Sequence, residues 1–174
     1  MNQKWLNMLA GYGSHHQNTT NAVMHIIGVP FIMLGVLIPL TWLSADVAGF
    51  NLSVAMLVYA ALAIFYFSLD KACAVFFMAY AGGVLFGANL IGEQASTSQA
   101  WAISAAAFFG GYVLQFIGHG IEGRPPALLT HPIQSQIAAP LFIVVELFKL
   151  MGFKEEMFNA MQARIQEWEQ AKQA

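Results

Sequence analysis

Five histidines, His15, His16, His25, His119 and His131, carry most of the chemistry this sequence has to offer. Three of them fall in one stretch, SHHQNTTNAVMHIIGVP, over residues 14–30, with Asn18 and Asn21 between them. A fourth opens HGIEGR, where Glu122 and Arg124 follow at once, and His131 comes soon after. Imidazoles drawn from several segments, with a carboxylate beside them, suit a divalent transition metal. Two histidines and one carboxylate with open positions point to non-haem iron. Asn18 is a good helix N-cap, with Asn21 at the third helical position. On a helix starting there, Asn18, Asn21 and His25 share one face. His16 would fall on the opposite face, so it must lie in the preceding turn if it is to meet His25. His119 and Glu122, three apart, share a face if their helix continues. Asn18 and Asn21 could fix an imidazole by hydrogen bonding, while a plain cap is the simpler role for Asn18.

The elements that must position these groups are apolar. The 174 residues are 58% hydrophobic and only 9% charged, with a mean hydropathy of +0.60. A soluble domain carries about 25% charged residues, so the chain is expected to be an integral membrane protein of one domain, 1–174. A net charge of −2 offers no basic field for nucleic acid. The lone Cys73 excludes an internal disulfide and a cysteine-based metal site; it reads as a small apolar filler. The opening MNQKWLNMLAGYG is mixed and amphipathic, unlike a removable secretory signal. The chain is expected to insert through its own first span.

A spanning helix needs about 20 mostly apolar residues. Four stretches qualify: 26–43, 52–69, 72–91 and 101–118. The expected fold is therefore an all-α membrane bundle of four transmembrane helices with amphipathic terminal helices. Pro30 and Pro39 should kink the first span, and Asp70-Lys71 should turn tightly between the second and third. Trp42, Trp101 and Tyr66 lie near span ends, as an aromatic belt would place them. A fifth apolar stretch, 133–151, contains Glu146 and Lys149, and charge placement decides its reading. With four crossings every Lys and Arg falls on one side, and loops 44–51 and 92–100 carry none. That matches the positive-inside rule; a fifth crossing would spoil it. The stretch is thus expected to be interfacial or re-entrant. Residues 153–172 place Met157, Met161, Ile165 and Trp168 in one stripe, a helix lying on the membrane surface.

Four crossings bring all five histidines to the cytoplasmic end of the bundle, although the topology argument made no use of them. For each there is a plainer role. His15 and His131 suit amphipathic interface positions, Arg124 is an ordinary positive-inside residue, and Glu146 can pair with Lys149 or snorkel to the interface.

The elements HHQNTTNAVMHIIGVP, QFIGHGIEGRPPALL and PIQSQIAAPLF together resemble the membrane 2-hydroxy fatty acid dioxygenase family, known in fungi for turning phytosphingosine into odd-numbered fatty acids. The likeness runs over nearly the whole chain. It implies a small multi-span protein that binds ferrous iron and performs α-oxidation, in which a 2-hydroxy fatty acid and dioxygen give an acid one carbon shorter. By matching positions, the family's histidines fall on His16, His25 and His119, and its asparagines on Asn18 and Asn21. The segment after His119 is one residue shorter than in fungal members, His131 replaces a polar non-histidine residue, and His15 matches no family histidine. The implied mechanism has His16, His25 and His119 holding Fe(II), with His131 or Glu122 as a fourth ligand. Open positions accept dioxygen and the substrate's carboxylate or 2-hydroxyl, and Arg124 forks onto the carboxylate. The acyl tail runs among the apolar spans. The protein would sit in the inner membrane of a bacterium or the endoplasmic reticulum of a eukaryote, with its active site facing the cytoplasm. Two rivals stand beside this reading: a haem protein for electron transfer, and a non-catalytic membrane protein that uses the histidines for zinc or for nothing.

Overall fold

The computed structural model describes residues 3–129 and 131–173. Among them are seven α-helices, one 3₁₀ turn and one small β-hairpin. The order is α1 (Gln3–Gly13), α2 (Thr19–Trp42), β1 (Ser44–Val47), β2 (Phe50–Ser53), α3 (Val54–Leu69), α4 (Lys71–Gln94), α5 (Thr97–Glu122), the 3₁₀ turn Ala127–Leu129, α6 (Pro132–Leu150) and α7 (Glu155–Gln173). The fold is all-α, as the composition and spacing imply. Four helices, α2, α4, α5 and α6, are long and apolar enough to cross a membrane. The chain divides into two compact units: Ile27 to Leu114, and the two chain ends, up to Ile26 and from Gln115 onward.

In the unit of Ile27 to Leu114, α2 and α5 pack at close range. A Cβ on Gly111 would stand 2.6 Å from the carbonyl oxygen of Gly28, and one on Gly35 2.7 Å from the backbone of Ser104 and Phe108. Backbones can approach this closely in lipid only where side chains are absent. The contact also repairs a defect. Pro39 has no N–H, so the carbonyl four residues earlier, Gly35 O, loses its helical donor. The buried hydroxyl of Ser104 donates to that oxygen at 2.6 Å. Continuity of α2 through Pro39 thus depends on a side chain from α5.

A single residue, Asp70, separates α3 from α4. Its N–H donates to Tyr66 O and closes α3, while its side chain accepts from Cys73 N and caps α4. The turn packs the last residues of α3 onto α4. Tyr66 is accordingly buried, edge-on to Phe77 at 4.6 Å, rather than exposed in a belt. Trp42 and Trp101 meet at 5.3 Å, and Trp42 Nε1 donates to Gly92 O. At 16 residues, α3 extends about 24 Å against a hydrocarbon core of about 30 Å. The hairpin before it has no alternating apolar pattern. It is set by the turn, where Ala48 and Gly49 both have positive φ (54° and 81°) and the Asp46 side chain accepts from Gly49 N. Outward-facing Ile64, Phe86 and Phe109 are more than 60% exposed, a surface that suits lipid rather than water.

The other unit gathers α1, the first turns of α2, the end of α5, the 3₁₀ turn, α6 and α7. The stretch 133–151 forms α6, a helix of spanning length that is largely buried in the protein. Its Glu146 is buried and pairs with Lys149 at 3.6 Å. The Met157, Met161 and Ile165 stripe of α7 is buried, with Met161 and Ile165 against Gly13 of α1. Removing the Ser104 hydroxyl should leave Gly35 O unpaired. Ser104→Ala is expected to cost about 1–3 kcal/mol, read as a lower thermal midpoint in detergent. Adding Pro39→Ala, which restores a backbone donor to Gly35 O, should recover part of the loss.

Candidate metal centre

The end of α1 prepares the first histidine. After Gly13 the chain tightens, with His15 N donating to Tyr12 O and His16 N to Gly13 O. This puts His16 in the turn before α2, where its Nδ1 donates to Tyr12 O at 2.7 Å. The Tyr12 ring stacks on the imidazole at 4.2 Å between centroids, with 11° between planes. Asn18 then opens α2: its Oδ1 accepts from Thr20 N, and its carbonyl accepts the first helical bond, from Ala22 N. One turn further on, His25 Nδ1 donates to Asn21 O at 3.0 Å.

Both rings therefore have Nδ1 committed as a donor, which leaves both Nε2 atoms as bare acceptors. Those two atoms face each other at 3.0 Å. Two lone pairs at that distance repel unless a cation or a proton lies between them. His119, from the last turn of α5, completes the group, its ring 4.9 Å from His16 and 5.0 Å from His25. Each of the three offers a ring nitrogen within 4.8 Å of the others, and all three side chains are buried. His119 Nδ1 is itself buried, with no hydrogen-bond partner among the described residues. Phe142 of α6 lies 5.1 Å from His16 and 5.0 Å from Tyr12 and is buried, so α6 supplies an apolar cover. Burial pushes the His16 imidazole well below its ordinary range, and charge on His25 beside it acts in the same direction. The favoured state is neutral, the form that ligates a metal.

Glu122 ties the segments together. One carboxylate oxygen accepts from Gln17 N at 2.6 Å and the other from Asn21 Nδ2 at 2.5 Å. The same Asn21 amide also donates to His15 O. Both partners are acceptors, which fixes the amide's orientation. The end of α5 thus grips the backbone next to His16 and the residue whose carbonyl orients His25. The absence of a side chain at Gly118 allows this fit, because a Cβ there would collide with Asn21.

Arg124 reaches outward: one guanidinium nitrogen donates to Ser14 O and another pairs with Glu169 of α7 at 3.2 Å. His131 is exposed, N-caps α6 without a side-chain cap bond, and lies outside the three-histidine group. His15 also lies outside that group, and its Nδ1 donates to Pro125 O. Sequence reasoning missed Tyr12, Gln17, Gly118 and Phe142. The first three act through a carbonyl, an N–H and a missing side chain, and Phe142 is one apolar residue in an apolar run.

The fold and the site define a class, an integral membrane protein with a buried three-histidine centre. The chain belongs to the Mpo1-like family: the family model, described as 2-hydroxy-palmitic acid dioxygenase Mpo1-like, matches residues 3–151. It is 29% identical over 146 residues to the 2-hydroxy-palmitic acid dioxygenase MPO1 of Saccharomyces cerevisiae, covering 83% of this chain and 80% of the yeast protein. No solved structure matches the chain.

A histidine held neutral by burial makes stability depend on pH. With its folded pKa lowered, the contribution of His16 is fully present above the unfolded value, about 6.5. It is lost as pH falls through that value, because the unfolded chain then binds the proton. Chelator-treated protein is expected to melt at lower temperature at pH 5 than at pH 7.5. His16→Gln should flatten that dependence.

Proposed function

We propose that this chain is an Fe(II)-dependent dioxygenase of 2-hydroxy fatty acids, which shortens the acyl chain by one carbon through α-oxidation. The observation that carries the reading is the His16–His25 contact, two bare Nε2 atoms 3.0 Å apart in a buried group with His119. Two nitrogens each about 2.1 Å from one ion stand about 3.0 Å apart at a right angle and about 3.4 Å apart at the tetrahedral angle. The spacing allows both nitrogens to ligate one divalent transition metal such as iron. Family membership and the yeast relative's printed activity support the same substrate class.

When bound, the iron would supply the activation of dioxygen towards a 2-hydroxy acid. The remaining work falls to this chain's residues. His16, His25 and His119 are the ligands, and the carbonyls of Tyr12 and Asn21 hold the first two in the tautomer that turns Nε2 inward. Tyr12 and Phe142 exclude water from one side of the group. Glu122, with both oxygens engaged, positions the segments that carry His16 and His25. Asn18 caps the helix on which Asn21 and His25 stand. Arg124 is the partner for the substrate carboxylate. Its pair with Glu169 is half exposed, worth about 0–1 kcal/mol, so a carboxylate can replace it at small cost. The distribution of Lys and Arg supports a centre facing the cytoplasm, in a bacterial inner membrane or the endoplasmic reticulum. The acyl tail then lies along membrane lipid or the apolar helices.

Purified protein supplied with Fe(II), dioxygen and a 2-hydroxy fatty acid is expected to release the acid one carbon shorter. His25→Ala and His119→Ala should each lose bound iron and turnover; retention of both by either variant overturns the ligand assignment. Glu122→Gln replaces an acceptor with a donor facing Gln17 N or Asn21 Nδ2. It is expected to weaken iron binding about 10–100-fold while the helical circular dichroism stays unchanged.

A further inference from the structure

Beside the histidine group lies a second concavity, a cavity of about 540 Å³ bordered by α1, the turn after it, α6 and α7. That volume falls in the range of small-molecule sites, about 300–1,000 Å³. Its lining includes Lys4, His15 and His131, and none of the described lining side chains is acidic. Met8 and Trp168 add apolar wall. On either side of His131 in sequence, Leu129 and Ile133 are 67% and 78% exposed. A basic, partly apolar cavity next to bare hydrophobic side chains is complementary to an amphiphile with an anionic head. His15 narrows the ligand further. With Nδ1 committed to Pro125 O, its Nε2 is the ring atom left for a ligand, and a hydroxyl, which can donate or accept, suits it. An anionic group for Lys4 and a hydroxyl for His15 are the two features of a 2-hydroxy acid head group. Tyr12 joins the two places, since it lines this cavity and stacks on His16 at 4.2 Å.

We infer that this cavity is a holding site for the head group of a long-chain 2-hydroxy acid, separate from the three histidines and divided from them by Tyr12. The chemical identity of the acid rests on the function proposed above; the existence of an anion-selective site does not. Lys4 and His131 hold the carboxylate, and His15 Nε2 hydrogen-bonds the hydroxyl. The acyl chain leaves past Leu129 and Ile133.

The test is equilibrium binding of radiolabelled 2-hydroxyhexadecanoic acid to full-length, chelator-treated protein in nanodiscs, where no turnover can occur. Hexadecanoic acid, 1-hexadecanol and lysophosphatidic acid serve as competitors. The expected order is hydroxy acid tightest, plain acid weaker and alcohol weakest. Lys4→Met with His131→Gln should weaken the hydroxy acid at least tenfold, and Lys4→Arg should retain it. His15→Leu should bring the hydroxy acid down to the plain acid. Lys4 and His131 are exposed, and unchanged thermal midpoints verify folding. Equal binding of acid and alcohol, or an unchanged dissociation constant in the double variant, overturns the inference. Tighter binding of lysophosphatidic acid than of the hydroxy acid also overturns it, in favour of a phospholipid site. Failure of the proposed reaction looks different: chelated protein binds the acid as described, but iron-loaded protein does not oxidise it.

Discussion

The geometry of this protein's chemical end depends on two imidazole nitrogens that face each other at 3.0 Å. Each ring is forced into that stance by its own backbone. His16 is turned by the carbonyl of Tyr12 four residues before it, and His25 by the carbonyl of Asn21, also four before. The constraint is therefore local in sequence and costly in isolation. It persists because α5 supplies a carboxylate that grips the chain between the two rings, and because α6 lays an aromatic side chain over them. Remove the demand that these nitrogens converge, and Glu122, Asn21 and the bare backbone at Gly118 lose their common purpose.

Apolar packing elsewhere obeys the same economy of backbone groups. In lipid a carbonyl left without a donor has no water to turn to. The Ser104 hydroxyl under Pro39 and the two-way cap at Asp70 are answers to that single problem. Both are small polar residues set in runs of large apolar ones.

Much of this was legible in the sequence. Hydropathy identified the helical class because lipid demands long apolar runs. Residue spacing placed His25 on a helix and, if the two were to meet, His16 in the turn ahead of it, because Asn18 is a good N-cap. Four expected crossings put His16, His25 and His119 at one end of the bundle, and these three side chains do gather. What escaped has a shared cause. Gln17 contributes a backbone atom, Tyr12 a carbonyl and a ring with no spacing signal to mark it, Gly118 an absence, and Phe142 is one phenylalanine among fourteen. Glu122 looked like a ligand because a carboxylate near histidines usually is one, and only coordinates reveal that both its oxygens are engaged. The cover that α1 provides for the α7 stripe was equally hidden, since amphipathic periodicity reports that a face is buried but not against what.

One unit of this chain is built from consecutive residues, whereas the unit holding the histidines is built from the two ends. That arrangement sets an order of assembly during synthesis. His16 and His25 leave the ribosome early, yet His119 follows almost a hundred residues later, and the cover from Phe142 later still. Residues 27–114 can complete their own contacts while the two early histidines still lack their later partners. The centre closes only when α6 arrives. Enclosure of the three imidazoles is thus a late event in the life of the nascent protein.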